Sequence, residues 1–323
     1  MSHPSIRFSA VGTLSITSAL ICWSSVPLFL KYFTHYIDSW TANGIRYPLA
    51  MLIWLPWLVR LARRGGHSRR FYLRAMVPAG VNLACQTLWA MAPYYIDPGL
   101  MSFVVRLNVI WAIIGAMLLF PEERGLLGSI RFWVGIVLGL VGFAIMGYYG
   151  GVLQGGATAV GILITAASSV GWGMYGVTVR WAMRGVDPRE AFALIGGCTA
   201  AGTLILMATF GHAGDALAMP WRSMLLLVMS AMVGIAAAHV LFYAAMARLG
   251  VTLCSGLMLL VPFATSAGSW WLYGEQMRQA QWFGGIGLVA GAVVLIWAQR
   301  DIVPGMAADG DPTTGRSNQK ESG

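Results

Sequence analysis

Two arginine side chains lie well inside long apolar stretches of this sequence, at Arg46 and Arg106. A planar guanidinium presents paired N–H donors that match the oxygens of a carboxylate or phosphate. An arginine in the middle of a membrane helix costs roughly 2.5–3.5 kcal/mol. No aspartate or glutamate occupies the middle of these stretches, so the two arginines are suited to capture an anionic small molecule. The alternative is that one or both extend to the interface and pair with Asp38 or Asp97.

A second group of polar and aromatic residues recurs in the third apolar stretch, as Asn82, Gln86, Trp89 and Pro93. Their spacing of i, i+4, i+7 and i+11 places them on one face of a helix. This face can line a cavity, with amide donors and acceptors beside an aromatic surface. The alternative is hydrogen bonding to a neighbouring helix, worth well under about 2 kcal/mol per contact.

Further aromatic and titratable residues complete the set of candidate substrate-binding side chains. Trp23 and Trp172 occupy matching positions in the two halves of the chain, and Tyr175 follows Trp172 by one turn. These rings either line a pathway or form the core between the halves. His239 lies inside an apolar stretch, with Tyr243 four residues later. An imidazole titrates near neutral pH, so it either couples protons to the function or hydrogen-bonds a neighbouring helix.

Patterns typical of catalysis do not occur in the sequence. It contains no H-E-x-x-H motif, no aspartate pair inside an apolar stretch and no convincing Ser/His pair. We therefore expect no catalytic residue, no metal site and no cofactor. An intramembrane enzyme acting on a lipid-linked or small substrate is the alternative class. The four cysteines all fall in apolar stretches and are interpreted as small buried hydrophobic residues: Cys22, Cys85, Cys198 and Cys254.

The elements that must position these residues are membrane helices. Of 323 residues, 58% are hydrophobic and only 10% are charged, whereas a soluble domain has roughly 25% charged residues. A membrane-spanning helix needs about 20 mostly apolar residues. The sequence therefore predicts an all-α integral membrane protein with ten transmembrane helices, at 10–30, 39–60, 73–95, 99–120, 131–149, 157–179, 190–210, 221–245, 251–273 and 280–298.

The distribution of Lys and Arg predicts the orientation of these helices. With the N-terminus inside, 16 of the 21 Lys and Arg residues lie in cytoplasmic segments and three lie outside. Because such residues favour the cytoplasmic side, we expect residues 1–9 and the polar, disordered tail 300–323 to be cytoplasmic. The net charge of +9 arises from these short loops. We therefore expect lipids of the inner (plasma) membrane, and no nucleic acid, as the surroundings.

The two halves of the chain resemble each other. An offset of 149 residues recurs in five pairs: Trp23 and Trp172, Asp38 and Asp187, Trp133 and Trp282, Gly135 and Gly284, and Gly142 and Gly291. Glu122 and Glu275 match at an offset of 153. These pairs predict five-helix repeats at 10–149 and 157–299. Because five is odd, the second repeat must enter the membrane from the opposite side, an inverted arrangement recurrent in secondary transporters.

The sequence also resembles the drug/metabolite transporter superfamily, in its ten-helix branch with two EamA-type repeats. The similarity spans about residues 10–299 and is carried by Arg46-Tyr47, by Pro262 and Gly274-Glu275, by a tryptophan in the first helix of each half, and by glycine-rich fifth helices. In helix 4, Asn108-Val109 aligns with Val261-Pro262. The resemblance implies an alternating-access exporter or exchanger of a small metabolite such as an amino acid or other organic anion. We expect a monomer or homodimer.

Overall fold

The computed structural model describes residues 10–65, 68–150, 156–249, 254 and 257–302. Side chains at 122, 123, 243, 246, 247, 249 and 299–302 lie outside this description. Across the described ranges the regular structure is helical: α1 Ala10–Phe33, α2 Ser39–Arg64, α3 Arg69–Met91, α4 Pro98–Val104, α5 Asn108–Leu119, α6 Ile130–Tyr149, α7 Gly156–Ala182, α8 Pro188–Phe210, α9 Ala213–Leu217, α10 Trp221–Ala231, α11 Ala238–Leu249, α12 Val261–Tyr273 and α13 Gln279–Ile302.

Two of the long helices change their winding partway along. A 3₁₀ turn at Val105–Leu107 joins α4 to α5, and a π-helical turn at Met232–Ala237 joins α10 to α11. Such local changes in winding often occur at functional sites in helical proteins. Both turns face the same region of the interior, which is described below.

Eight described helices are long and apolar enough to cross a membrane: Ala10–Phe33, Ser39–Arg64, Pro98–Leu119, Ile130–Tyr149, Gly156–Ala182, Pro188–Phe210, Trp221–Phe242 and Gln279–Ala298. The predicted spans at 73–95 and 251–273 are not among them. Polar Asn82 and Gln86 lower the hydropathy of α3. The described helix α12 has only 13 residues, and several residues before it lie outside the description. The total of ten therefore stays a prediction.

The helices pack in a regular pattern. Helix α2 runs along α8, and α6 runs along α13. Helix α1 packs against α11 and α12, which we call the first bundle. Helix α7 packs against α3, α4 and α5, which we call the second bundle. An offset of 149 residues relates α1 to α7, and α3 to the helix that runs from α10 through the π-helical turn into α11. An offset of 153 relates α12 to α5, so the two bundles consist of corresponding helices.

The contact between α6 and α13 depends on glycine. A Cβ at Gly142 would lie 2.5 Å from the Gly284 carbonyl oxygen, and one at Gly291 would lie 2.6 Å from the Gly139 amide nitrogen. No side chain fits at these distances, so the two backbones approach closely. The glycine-rich fifth helix of each half is thus used for packing inside the fold.

The whole set of packed helices has two ends, which we name by residues located there. The Asp97 end contains Asp38, Asp97 and Glu275, and the Arg64 end contains Arg64 and Glu190. At the Asp97 end, the Asp38 carboxylate caps α2 by accepting the Thr41 amide at 2.9 Å. At the Arg64 end, Asp187 caps α8 by accepting the Arg189 amide at 2.8 Å. An aspartate therefore caps the second helix of each half, at opposite ends of the molecule.

Candidate functional site

A cavity of about 420 Å³ lies between the first and second bundles. Helix α2 and the π-helical turn complete its wall. This volume falls within the range of about 300–1,000 Å³ that is typical of small-molecule sites. Seven of the ten predicted site residues line the cavity: Trp23, Arg46, Gln86, Trp89, Arg106, Trp172 and His239.

The remaining three predicted residues have other positions. Asn82 is 4% exposed, and its Nδ2 donates to Thr199 Oγ1 at 3.0 Å, so it joins α3 to α8. This is the interhelical hydrogen bond that the sequence left open as an alternative. Tyr175 lines a separate crevice beside Arg180, toward the Arg64 end. Tyr243 belongs to α11, but its side chain lies outside the described residues.

Arg46 is held in place by a neighbouring helix. Its side chain is 2% exposed, and Nε donates to Ser230 Oγ in α10 at 2.9 Å. The next turn contains Gly234, where a Cβ would lie 2.6 Å from Val26 Cγ2 and 3.5 Å from Arg46 Nη2. The glycine thus leaves room for both the guanidinium and α1. Packing fixes this cation at the cavity wall.

Arg106 lies in the 3₁₀ turn of the second bundle, where α4 meets α5. Arg106 lines the cavity, and its Nε donates to the Ser102 carbonyl at 3.4 Å. Among the described contacts, neither arginine pairs with Asp97 or Asp38, which was the predicted alternative. Asp97 pairs with Lys31 at 3.0 Å, and Asp38 accepts from Thr41 and His212.

Aromatic rings form much of the remaining wall. Trp23 contributes from the first bundle, and Trp172 and Trp89 contribute from the second. The ring centroids of Trp23 and His239 are 5.6 Å apart at 85°, and those of His239 and Phe192 are 4.6 Å apart. His239 Nδ1 lies 2.7 Å from the Ile235 carbonyl oxygen. The imidazole is therefore packed between rings and bonded to its own helix.

Sequence reasoning missed Asn108 as a site residue. Asn108 lines the cavity at the first turn of α5, and its Oδ1 has no hydrogen-bond partner among the described residues. Helix α7 approaches α5 closely here, because a Cβ at Gly173 would lie 2.5 Å from the Asn108 carbonyl oxygen. The signal in the sequence was an asparagine inside an apolar stretch, at the position aligned with Val261.

The charged side chains in the described cavity lining are all positive. Its described lining includes two guanidinium groups and no carboxylate. The carboxylates near helix ends are engaged elsewhere: Glu190, 3% exposed, lies 2.8 Å from Arg64 Nη1. Because the cavity wall is otherwise largely apolar, two cations without a carboxylate beside them favour a negatively charged occupant.

The fold and cavity define a multi-pass integral membrane protein with a central small-molecule cavity. Residues 10–148 and 159–297 each match the EamA-like transporter family. The chain belongs to this family and is a membrane transporter of small molecules. The resemblance to EamA-type repeats predicted from sequence is thereby confirmed.

Similarity to individual proteins is weaker. No curated protein matches the sequence. A solved chain described as "Crystal structure of protein" is similar with a TM-score of 0.58 and 18% identity, over 90% of this chain and 98% of that chain. At this identity the likeness concerns the fold alone.

Proposed function

We propose that this protein is an alternating-access secondary transporter, an exporter or exchanger, that carries a small organic anion. The observation that carries the proposal is the cavity between corresponding bundles, whose described lining contains Arg46 and Arg106 and no carboxylate. The family supports transport, and its members give no support to the alternative of an intramembrane enzyme.

The arrangement of the bundles supports alternating access through two inverted five-helix repeats with ten spans. Helix α5 starts at Asn108 and α12 starts at Val261, and these positions align at an offset of 153. Both helices therefore begin at the cavity, each after an irregular turn, at Val105–Leu107 and at Leu259-Leu260. Irregular backbone at membrane depth is tolerated where it lines a cavity, and broken helices commonly surround transporter sites.

The charges support an anion over a zwitterion. An amino acid zwitterion would neutralise one guanidinium and introduce an ammonium group that has no carboxylate in the described wall to pair with. An anion with one or more carboxylate or phosphate groups compensates the cations by bidentate hydrogen bonds. Trp23, Trp89 and Trp172 provide flat apolar surfaces for the rest of the molecule.

The arginine distribution supports an orientation with both termini cytoplasmic and a location in the inner (plasma) membrane. Exposed arginines cluster at the Arg64 end, where Arg63, Arg69, Arg70 and Arg74 lie. This makes the Arg64 end cytoplasmic and the Asp97 end external.

Ligand binding by the purified protein tests the substrate class. Thermal unfolding is measured with sets of compounds that share a carbon skeleton: a carboxylate, its zwitterionic α-amino derivative and its neutral amide. We expect saturable stabilisation by a carboxylate. Arg106→Gln should weaken that binding tenfold or more, because a hydrogen bond to a charged group contributes about 1.5–3 kcal/mol. Arg106→Lys should retain part of the effect.

The matched control is Arg278→Gln, which removes an exposed arginine outside the cavity. It should bind the carboxylate like the wild type. Equal stabilisation by the neutral amide, together with wild-type binding by both Arg106 variants, would refute recognition of an anion.

A further inference from the structure

One carboxylate joins the two bundles at the Asp97 end. Glu275 follows α12 of the first bundle, after Gly274 in the left-handed conformation (φ 69°). Its Oε2 accepts the Gly99 amide at 2.7 Å, and its Oε1 accepts the Leu100 amide at 2.9 Å. Gly99 and Leu100 form the first turn of α4 in the second bundle. Hydrogen bonds to an ionised carboxylate are among the stronger ones in proteins.

A second connection closes the same end. Lys31 at the end of α1 lies 3.0 Å from Asp97 Oδ1, and its Nζ donates to the Pro93 carbonyl at 3.1 Å. Beneath these contacts Ile96 is 3% exposed and Met101 is fully buried. Polar bonds and an apolar layer thus lie between the cavity and the Asp97 end.

The cavity extends toward the opposite end. Its lining includes Phe242 and Ile296, which lie past the midpoints of helices that start at the Asp97 end. The repeat equivalent of Lys31 is Arg180, at an offset of 149. Arg180 lies 4.0 Å from the ring centroid of Phe120, a contact within the second bundle.

The neighbouring helix pairs, α2 with α8 and α6 with α13, are each joined at more than one point. Helices α2 and α8 are joined at the Asp97 end by Asp38 Oδ2, which accepts the His212 amide at 2.9 Å. They are joined at the Arg64 end by Glu190 and Arg64 at 2.8 Å. Helices α6 and α13 approach through glycine backbones. Between the two bundles, the described polar contacts at the Asp97 end include those of Glu275 and Lys31.

We propose that Glu275 is a latch that holds the cavity closed at the Asp97 end, and that it must release Gly99 and Leu100 before the cavity opens there. The proposal rests on the alternating access proposed above. It assigns the described conformation to the state that is closed at the Asp97 end.

Cysteine labelling tests the latch without a substrate. Val26→Cys places a thiol in the cavity wall, and Gln276→Cys marks the exposed surface at the Asp97 end. A membrane-impermeant maleimide is applied separately to each face of sealed membrane vesicles. The face from which Gln276→Cys reacts is the Asp97 face, and the unsubstituted chain gives the background from native cysteines.

Removing the latch should open the cavity to that face. Val26→Cys combined with Glu275→Ala should react about tenfold faster from the Asp97 face than Val26→Cys alone. Tenfold corresponds to about 1.4 kcal/mol in the opening equilibrium. Gly99→Ala breaks the same contact from the other side, because its Cβ would lie 2.6 Å from Glu275 Oε2. The double variant should show no further acceleration, since both changes remove one interaction.

Two matched controls accompany these variants. Gly80→Ala adds a methyl group where nothing lies within 4 Å, and Asp215→Asn removes an exposed carboxylate near the Asp97 end. Neither should change the labelling rate. If Glu275→Ala does not fold, Glu275→Gln and Gly99→Ala test the same contact.

Unchanged labelling from the Asp97 face in the Glu275 and Gly99 variants would overturn the latch. Additive effects in the double variant would overturn it as well. Labelling measures access to the cavity and does not depend on transport. A lack of flux would therefore refute the proposed function, whereas the labelling rates alone decide whether Glu275 is a latch.

Discussion

Gly173 is the position where the cavity depends most visibly on the absence of a side chain. A Cβ there would lie 2.5 Å from the Asn108 carbonyl oxygen, 2.6 Å from Trp111 Cβ and 2.7 Å from the Ala112 amide nitrogen. Two of these three atoms belong to backbone that cannot rotate away. Gly173→Ala therefore requires α7 and α5 to separate within the second bundle.

Gly176 lies one turn later on the same helix, and nothing lies within 4 Å of a Cβ there. Alanine at either position gains up to about 1 kcal/mol of helix propensity. Only Gly173→Ala also incurs the overpacking cost, typically about 1–3 kcal/mol. We therefore expect Gly173→Ala to be less stable than Gly176→Ala by about 1–3 kcal/mol.

Thermal unfolding of the two purified variants in the same detergent measures this difference. Ligand binding gives a second readout, because separation of α7 from α5 displaces Asn108 and the adjoining Arg106 turn. Gly173→Ala should bind the carboxylate more weakly, whereas Gly176→Ala should bind it like the wild type. Equal midpoints and equal binding in the two variants would refute the close approach of α7 and α5.

Three further predictions concern individual side chains. Asn82→Ala should lower thermal stability by less than about 2 kcal/mol without weakening ligand binding, because it removes a bond to Thr199 outside the cavity; weakened binding at unchanged stability would contradict this. His239→Gln should leave the pH profile of transport unchanged, because Nδ1 contacts the Ile235 carbonyl within the helix; a profile flattened near neutrality would instead assign it a proton-coupling role. Partial burial raises the pKa of Asp38, but the hydrogen bonds from Thr41 and His212 have the larger combined effect. The pKa of Asp38 therefore lies below its ordinary value of 3.8. The contribution of the ionised Asp38 carboxylate to the stability of the folded protein is therefore complete above about pH 3.8, and it is lost as the pH falls through the lowered pKa. Asp38→Asn should remove this acid-side loss in a pH series of unfolding midpoints, and a persisting loss would assign it to another group.

The sequence predicted much of the fold because apolar stretches and internal matches are strong signals. The two EamA-type repeats predicted from the sequence are matched by the family model at 10–148 and 159–297. The winding changes at Val105–Leu107 and Met232–Ala237 were not predicted. They depend on packing around the cavity, and the single glycine that they contain, Gly234, is too weak a signal to locate them in a glycine-rich sequence.

The candidate site was predicted in part, for a geometric reason. Helical spacing identifies which face of α3 a residue occupies, and Asn82, Gln86 and Trp89 share that face. It does not identify which neighbour lies opposite each turn. At the level of Asn82 the neighbour is α8, and one turn later it is the cavity. Contact of the seven cavity residues with substrate stays a prediction.

Counterflow in reconstituted vesicles tests the central claim most directly. Vesicles preloaded with an unlabelled carboxylate that binds the purified protein are diluted into the labelled compound. The account predicts saturable, transient accumulation that falls at least tenfold in Arg106→Gln and is unchanged in Arg278→Gln. Equal accumulation of the neutral amide, undiminished by Arg106→Gln, would contradict carriage of an anion through this cavity.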